Sequence, residues 1–342
     1  MNLNVKASLS TLVIMYSLIM LSKPPIFFRR TGWVLFVLLY LLSSNTSAST
    51  IVTTIKPLHS LVAHITDGID NAVLLMRHNT SPHHYNMRPS ERRLLADAQV
   101  IIWVGPSMES YLTKVIRQQK ATTKIISALQ ASDLKLLDKR HAHSHESQPD
   151  ATFKNHSDNI DPHLWLSTHN AAAISKHIAR QLMILNPGKS EQYNKNLNGL
   201  LNKIEQTKKA IHLQLTDSNA PFIAYHDAFQ YFVIENQLNQ VASVSFSDEA
   251  NVSLKKIRQI KTRIDTENIQ CLVYQAPKPA IIKTLADKTS INAIELDPLG
   301  VYSKNDKNTW FDIMQNMTQN FNRCLSTQGN KPDNRNITSR ID

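Results

Sequence analysis

Short β-branched runs alternate with helical segments in two series along this chain, and one long unbroken helical stretch separates them. That pattern limits the fold more than any other feature. In the first series, strands are expected at 51–55, 72–76, 100–104 and 124–126. Helices are expected at 58–66, 90–98 with Ser90 as its cap, and 108–119, and a further helix, capped by Ser167, runs to residue 185. The second series predicts strands at 222–225, 241–246, 271–274 and 293–296. Its helices are expected at 228–236, 254–266, 279–288 and 309–325. Strand–helix alternation of this kind builds α/β layers with a mainly parallel sheet. Between the series, 190–215 carries Leu197, Leu201, Ile204, Ile211 and Leu215 at helical spacing. Such a helix could pack on one lobe or connect two rigidly.

The segment 138–160 interrupts the alternation. It is polar, lacks an apolar period and holds His141, His143, His145 and His156, so it reads as a loop. The chain divides into a leader region 1–48, an N-terminal lobe 49–188 containing that loop, a linker helix 189–216, a C-terminal lobe 217–328 and a polar tail 329–342.

The leader reads as an export signal. Arg29 and Arg30 precede an apolar run at 32–42, and Thr46-Ser47-Ala48 offers a small-residue cleavage site. The run is shorter than the ~20 residues that span a bilayer. Cleavage is expected after Ala48, and Met20 reads as the start of translation, since it gives a signal of ordinary length. No cysteine lies near the cleavage site to carry a lipid, so a soluble periplasmic protein is expected. Two cysteines, Cys271 and Cys324, remain in the exported chain. In an oxidising compartment such a pair forms a disulfide or stays as two buried thiols.

Only 7 of 342 residues are glycine. No Gly-rich phosphate loop, nucleophile elbow or H-E-x-x-H motif occurs, which removes the common nucleotide, hydrolase and zincin signatures. The net charge of +11 comes from 38 basic and 27 acidic residues. The basic residues are dispersed, without the dense tract and interleaved aromatics of a nucleic-acid surface.

The 14 histidines are more informative. Three sit where a strand is expected to give way to a turn: His83 in Ser81-Pro82-His83-His84-Tyr85, His163 in Asp161-Pro162-His163-Leu164-Trp165, and His226 in Ala224-Tyr225-His226-Asp227-Ala228. Loops beyond strand carboxyl ends line the ligand crevice of open α/β sheets. Three neutral imidazoles and one oxygen suit Zn²⁺, whereas Mn²⁺ prefers an oxygen-richer shell. Asp297, in Leu296-Asp297-Pro298-Leu299-Gly300, is a candidate fourth ligand or a turn-forming residue.

With these segments in view, the chain resembles the zinc-binding periplasmic components of zinc-uptake ABC transporters, the ZnuA type, within the metal-binding cluster of solute-binding proteins. Further matching segments are Ile55-Lys56-Pro57-Leu58, Met87-Arg88-Pro89-Ser90 and Trp103-Val104-Gly105-Pro106, and the resemblance spans about 50–326. It implies two α/β lobes, each with a mainly parallel sheet flanked by helices, joined by one long rigid helix, with the metal in the cleft. It implies His83, His163 and His226 as ligands. Histidine rather than glutamate at the third position favours zinc over manganese or iron. It also implies a disulfide between Cys271 and Cys324, a secondary metal-gathering role for the His-rich loop, a monomer, and delivery of Zn²⁺ to an inner-membrane ABC permease. The chain departs from the family pattern at His84, Pro82 and Gln275, where acidic residues are common. The fourth ligand is left open among Asp297, a water and His84. Rival readings are a manganese- or iron-binding protein of the same fold, a surface adhesin, and a zinc hydrolase with Asp297 or Asp227 as base. A non-enzyme is expected.

Overall fold

The computed structural model describes residues 50–76, 82–83, 85–140, 159–245, 252–286, 289 and 291–326. The leader, His84, the histidines at 141, 143, 145 and 156, and the tail lie outside the described residues.

The N-terminal lobe holds β1 (Ile51–Thr53), α1 (Lys56–Ile65), β2 (Ala72–Leu74), α2 (Pro89–Ala96), β3 (Val100–Trp103), α3 (Thr113–Arg117) and β4 (Lys124–Ser127). Its four strands are all parallel, in the order β2-β1-β3-β4. Helix α4 (Thr168–Leu185) and the long α5 (Ser190–Leu215) follow. The C-terminal lobe holds β5 (Phe222–His226), α6 (Gln230–Glu235), β6 (Gln240–Ser245), α7 (Leu254–Thr266), β7 (Cys271–Gln275), α8 (Ile281–Ala286), β8 (Asn292–Leu296) and α9 (Thr309–Leu325). Its strands are again parallel, in the equivalent order β6-β5-β7-β8.

Both sheets are covered on two faces, so their strands are apolar throughout rather than alternating with polar residues. Alternate residues serve different cores. Ile51, Ile102, Phe222, Ala224, Cys271 and Val273 join one central cluster that draws on both lobes. Val52, Ile101 and Trp103 face a second cluster, and Ile223, Tyr225, Leu272 and Tyr274 a third. The central cluster is filled by α1, α4, α5 and α9, and it fully buries Trp310, Tyr193, Phe222, Phe232 and Phe321. Each such side chain removed from water stabilises the fold by ~1.5–3 kcal/mol.

The long helix connects rather than serving one lobe. Its buried residues Tyr193, Leu197, Leu200, Ile204, Ile211 and Leu215 all enter the shared core. Near its start, Tyr193 donates to Asp70 and Asn196 donates to the Ile65 carbonyl at 3.0 Å. Further along, Lys203 donates to Asn308 at 2.8 Å and lies 3.9 Å over the Phe311 ring. One helix thus grips α1 on one side and α9 on the other. The cysteines are joined as a disulfide with Cα atoms 5.5 Å apart, which ties β7 to α9.

Two local expectations are corrected. The segment 108–119 is not one helix but a 3₁₀ turn, Ser110–Leu112, followed by α3. The cause is Glu109, whose buried Oε2 accepts from Val104 N (2.9 Å) and Gly105 N (3.1 Å) and so closes the turn. Gly105 has φ +147°, and a Cβ there would lie 2.5 Å from Leu129 Cδ1. Ser90 does not cap α2. The helix starts at Pro89, and Glu91 reaches back to accept from Arg88 N at 2.7 Å. Proline suits the first helical position because it has no N–H to leave unsatisfied.

Candidate metal centre

His226 is the last residue of β5 and only 4% exposed. It shares parity with Phe222 and Ala224, so it belongs to the inner face that turns toward the other lobe. His83 is half-buried and follows Pro82 in the connection between β2 and α2. His163 does not stand at the end of a strand as expected. It precedes the 3₁₀ turn Leu164–Leu166, which leads through Ser167 into α4.

The His163 segment is held from several directions. Asp161 Oδ1 accepts the His163 backbone N–H at 3.0 Å and lies 2.7 Å from its Nδ1. A carboxylate at Nδ1 fixes the proton there and leaves the lone pair on Nε2 for a cation. Trp165 Nε1 donates to the Pro298 carbonyl at 2.8 Å, and Trp310 Nε1 donates to the Trp165 carbonyl at 2.8 Å. Ser167 caps α4 by accepting from Asn170 N at 3.1 Å. Glu235, from the C-terminal lobe, completes that cap by accepting from Thr168 N (2.7 Å) and His169 N (3.1 Å).

The fold brings the three rings together. Centroid separations are 5.5 Å for His83–His163, 5.8 Å for His163–His226 and 6.5 Å for His83–His226. One ligand nitrogen from each lies within 4.8 Å of the other two. Zn–N bonds of ~2.0 Å in a tetrahedron need nitrogens ~3.3 Å apart, so small imidazole rotations would complete the site. Three neutral nitrogen donors in a largely buried pocket fit a borderline-soft divalent cation.

Asp297 is not a member of this cluster. Its carboxylate accepts from Val301 N (2.8 Å) and Tyr302 N (3.0 Å) and so caps a turn. The same turn offers its carbonyls to Lys56. Nζ donates to Gly300 at 2.8 Å and to Val301 at 3.2 Å, joining the start of α1 to the far lobe. Burial lowers the Lys56 pKa, and the Asp297 charge partly restores it. Asp227 is also occupied. Arg140 Nε lies 3.3 Å from Oδ2, and Gln240 Nε2 donates to Oδ1 at 2.9 Å. Arg140 belongs to the stem of the His-rich loop, where Asp138 and Ile160 form an antiparallel bridge. Asp161 and Lys56 stand inside the sequence motifs, but their partners are remote along the chain or reached only through the fold. An Asp two residues before His163, with Pro between, was the available signal for Asp161.

Two parallel-sheet lobes on a shared helical spine, with an imidazole pocket between their inner faces, define a two-lobed receptor of the solute-binding kind. The chain belongs to the family described as zinc-uptake complex component A, periplasmic, whose model matches residues 51–324. The high-affinity zinc uptake system protein ZnuA of Brucella suis is 29% identical over 306 residues, covering 81% of this chain and 91% of that protein. The protein of the same name from Yersinia pestis is 28% identical over 296 residues, covering 82% and 92%. Among solved structures, a ZnuA crystal structure aligns with a TM-score of 0.69 at 20% identity, covering 82% of this chain and all of that one. A manganese complex of FpvC from Pseudomonas aeruginosa aligns with a TM-score of 0.70 at 16% identity, covering 82% and 99%. At these identities the structural likeness speaks for the fold.

Proposed function

We propose that this protein captures Zn²⁺ outside the cytoplasm through His83, His163 and His226 and delivers it to an ABC-type importer in the inner membrane. The observation that carries the reading is the convergence of three imidazole nitrogens, from three separate chain segments, within 4.8 Å of one another. Family membership and relatives named for high-affinity zinc uptake agree with it. The neutral nitrogen set favours zinc over manganese, which seeks carboxylate and water oxygens. That preference bears on this chain because one structural neighbour holds Mn²⁺.

Imidazoles bind metal only when neutral, so zinc affinity should fall as the pH is lowered. The spine and shared core join the lobes stiffly, so release would come from small shifts of the ligand loops rather than a wide hinge. The His-rich loop, at 141, 143, 145 and 156, would serve as a weaker gathering site. Among the described residues no helix is long and apolar enough to cross a membrane.

The test is calorimetry and metal analysis of the untagged mature protein with His83→Ala, His163→Ala and His226→Ala. One tight zinc per chain is expected, strongly weakened in each variant, with Mn²⁺ unable to displace it. Equal zinc affinity in the variants would overturn the reading.

A further inference from the structure

The two ends of the polar segment 138–160 meet as a short antiparallel stem. Lys139 N donates to the Asn159 carbonyl at 2.7 Å, and Asp161 N donates to the Leu137 carbonyl at 2.8 Å, on either side of the Asp138–Ile160 bridge. Two strands this short are at best marginally stable alone. The C-terminal lobe holds them.

Two consecutive residues at the start of α6 supply most of the hold. The Gln230 amide is used at both ends. Its Nε2 donates to the Asp138 carbonyl at 3.1 Å, and its Oε1 accepts from Arg140 Nε at 2.9 Å. The Tyr231 hydroxyl stands between the two strands. It accepts from Leu137 N at 3.1 Å and donates to the Asp161 carbonyl at 2.9 Å. Tyr231 is 2% exposed, so loss of its hydroxyl would leave that carbonyl unmet in a buried place. Arg140 adds a charge contact. Its Nε lies 3.3 Å from Oδ2 of Asp227, whose side chain is 4% exposed.

The stem therefore ends beside one histidine of the pocket in each lobe. On one side, Asp161 gives its carbonyl to Tyr231 and its carboxylate to His163, at 3.0 Å from the backbone N–H and 2.7 Å from Nδ1. On the other, Asp227 directly follows His226, and its N–H donates to the Ser245 carbonyl at 3.2 Å. A bonded path thus runs from His163 through Asp161 and the stem to Arg140, Asp227 and His226. The two rings at its ends have centroids 5.8 Å apart.

We propose that this stem is a cross-lobe strap that sets the separation of His163 and His226, with Tyr231 and Arg140 as positioning residues for the ion. This rests on the zinc-binding reading above and extends it. Core packing joins the lobes as bodies, whereas the strap acts on the two ligand segments at the pocket. Holding them near the final spacing leaves only ring rotations to be fixed when the ion arrives, and preorganisation of that kind raises affinity. Cutting the strap lets the two segments part. Zinc then binds more weakly and leaves faster, although every ligand is still present.

The experiment compares the untagged mature protein with Tyr231→Phe, which keeps the ring and deletes both bonds, and Arg140→Gln, which deletes the charge contact. Zn²⁺ affinity is measured against a chromophoric chelator, and the d–d absorption of bound Co²⁺ reports the ligand geometry. Loss of an outer partner weakens metal binding ~10–100-fold. Tyr231 and Arg140 act one contact further out than Asp161, so each variant should weaken zinc by about tenfold, the lower end of that range, and shift the cobalt spectrum. Members of one network are not additive, so the double variant should weaken zinc by less than the product of the separate effects. Tyr193→Phe removes a phenol bond on the long helix instead and should leave zinc affinity within twofold. Unchanged affinity and cobalt spectra in both strap variants would overturn the proposal. So would fully multiplicative effects, or a Tyr193→Phe loss equal to that of Tyr231→Phe. Thermal unfolding of the metal-free proteins detects a folding defect in Tyr231→Phe, in which case Arg140→Gln, at a side chain 34% exposed, decides. A parent that loses zinc with His163→Ala or His226→Ala while the strap variants match it overturns this inference alone. A parent that binds no zinc overturns the functional reading beneath it.

Discussion

Replacing Asp161 tests whether the pocket depends on its supporting carboxylate as well as on its imidazoles. Asp161 Oδ1 meets His163 twice, at the backbone N–H (3.0 Å) and at Nδ1 (2.7 Å). Both side chains are almost wholly buried, 4% exposed for Asp161 and 5% for His163. Water therefore cannot replace the bond. Asp161→Ala removes the group that sets the tautomer and the ring plane. Outer partners of this kind are worth ~10–100-fold in metal affinity, or ~1.4–2.7 kcal/mol. Asp161→Asn keeps an acceptor for the backbone N–H but loses the charge, so it should fall near the tenfold end of that range. Competition titration with a chromophoric chelator at pH 7.5 measures both variants, and urea unfolding of the metal-free forms monitors the fold. If both bind zinc within twofold of the parent, the carboxylate neither orients nor tunes His163 and the account of the site is wrong.

Two further outcomes concern stability. Burial lowers the His59 pKa to about 4, and the Asp306 charge only partly opposes this. Protonation therefore favours the unfolded chain, so the stability is present above the unfolded value of ~6.5 and is lost as pH falls toward the folded one. At pH 5 the loss should be roughly 2 kcal/mol, read as a flatter pH dependence of urea unfolding in metal-free His59→Gln than in the parent. Equal slopes would refute it. Cys271 and Cys324 stand 53 residues apart. Closing such a loop stabilises by ~4 kcal/mol in the chain-entropy account, so the double Cys→Ala variant should unfold at markedly lower urea. An unchanged midpoint would count against that magnitude.

Much of the framework could be read without coordinates, because it rests on local periodicity. The helices Leu254–Thr266 and Thr309–Leu325 match their expected bounds, since their apolar spacing lies within the segments themselves. The parallel α/β class followed from strand–helix alternation, and the three histidines that cluster were singled out by their motif positions. The errors came where a side chain is satisfied by something distant or unusual in the backbone. Glu109 turns inward to bond Val104 and Gly105 and breaks an expected helix. Asp297 faces its own turn, while the carbonyls of that turn hold Lys56 from the other lobe.

The sequence by itself determined the parallel α/β class, most of the strand and helix segments, and which residue types could hold a cation. Only the tertiary structure decided that one core serves both lobes, that Asp161 meets His163 while Asp297 caps its own turn, and that Lys56 is held by carbonyls of the far lobe. The physical reason is range. Helix and strand periodicity is written in neighbours along the chain, whereas the partner of a buried polar group is chosen by packing that brings remote segments within a few ångströms.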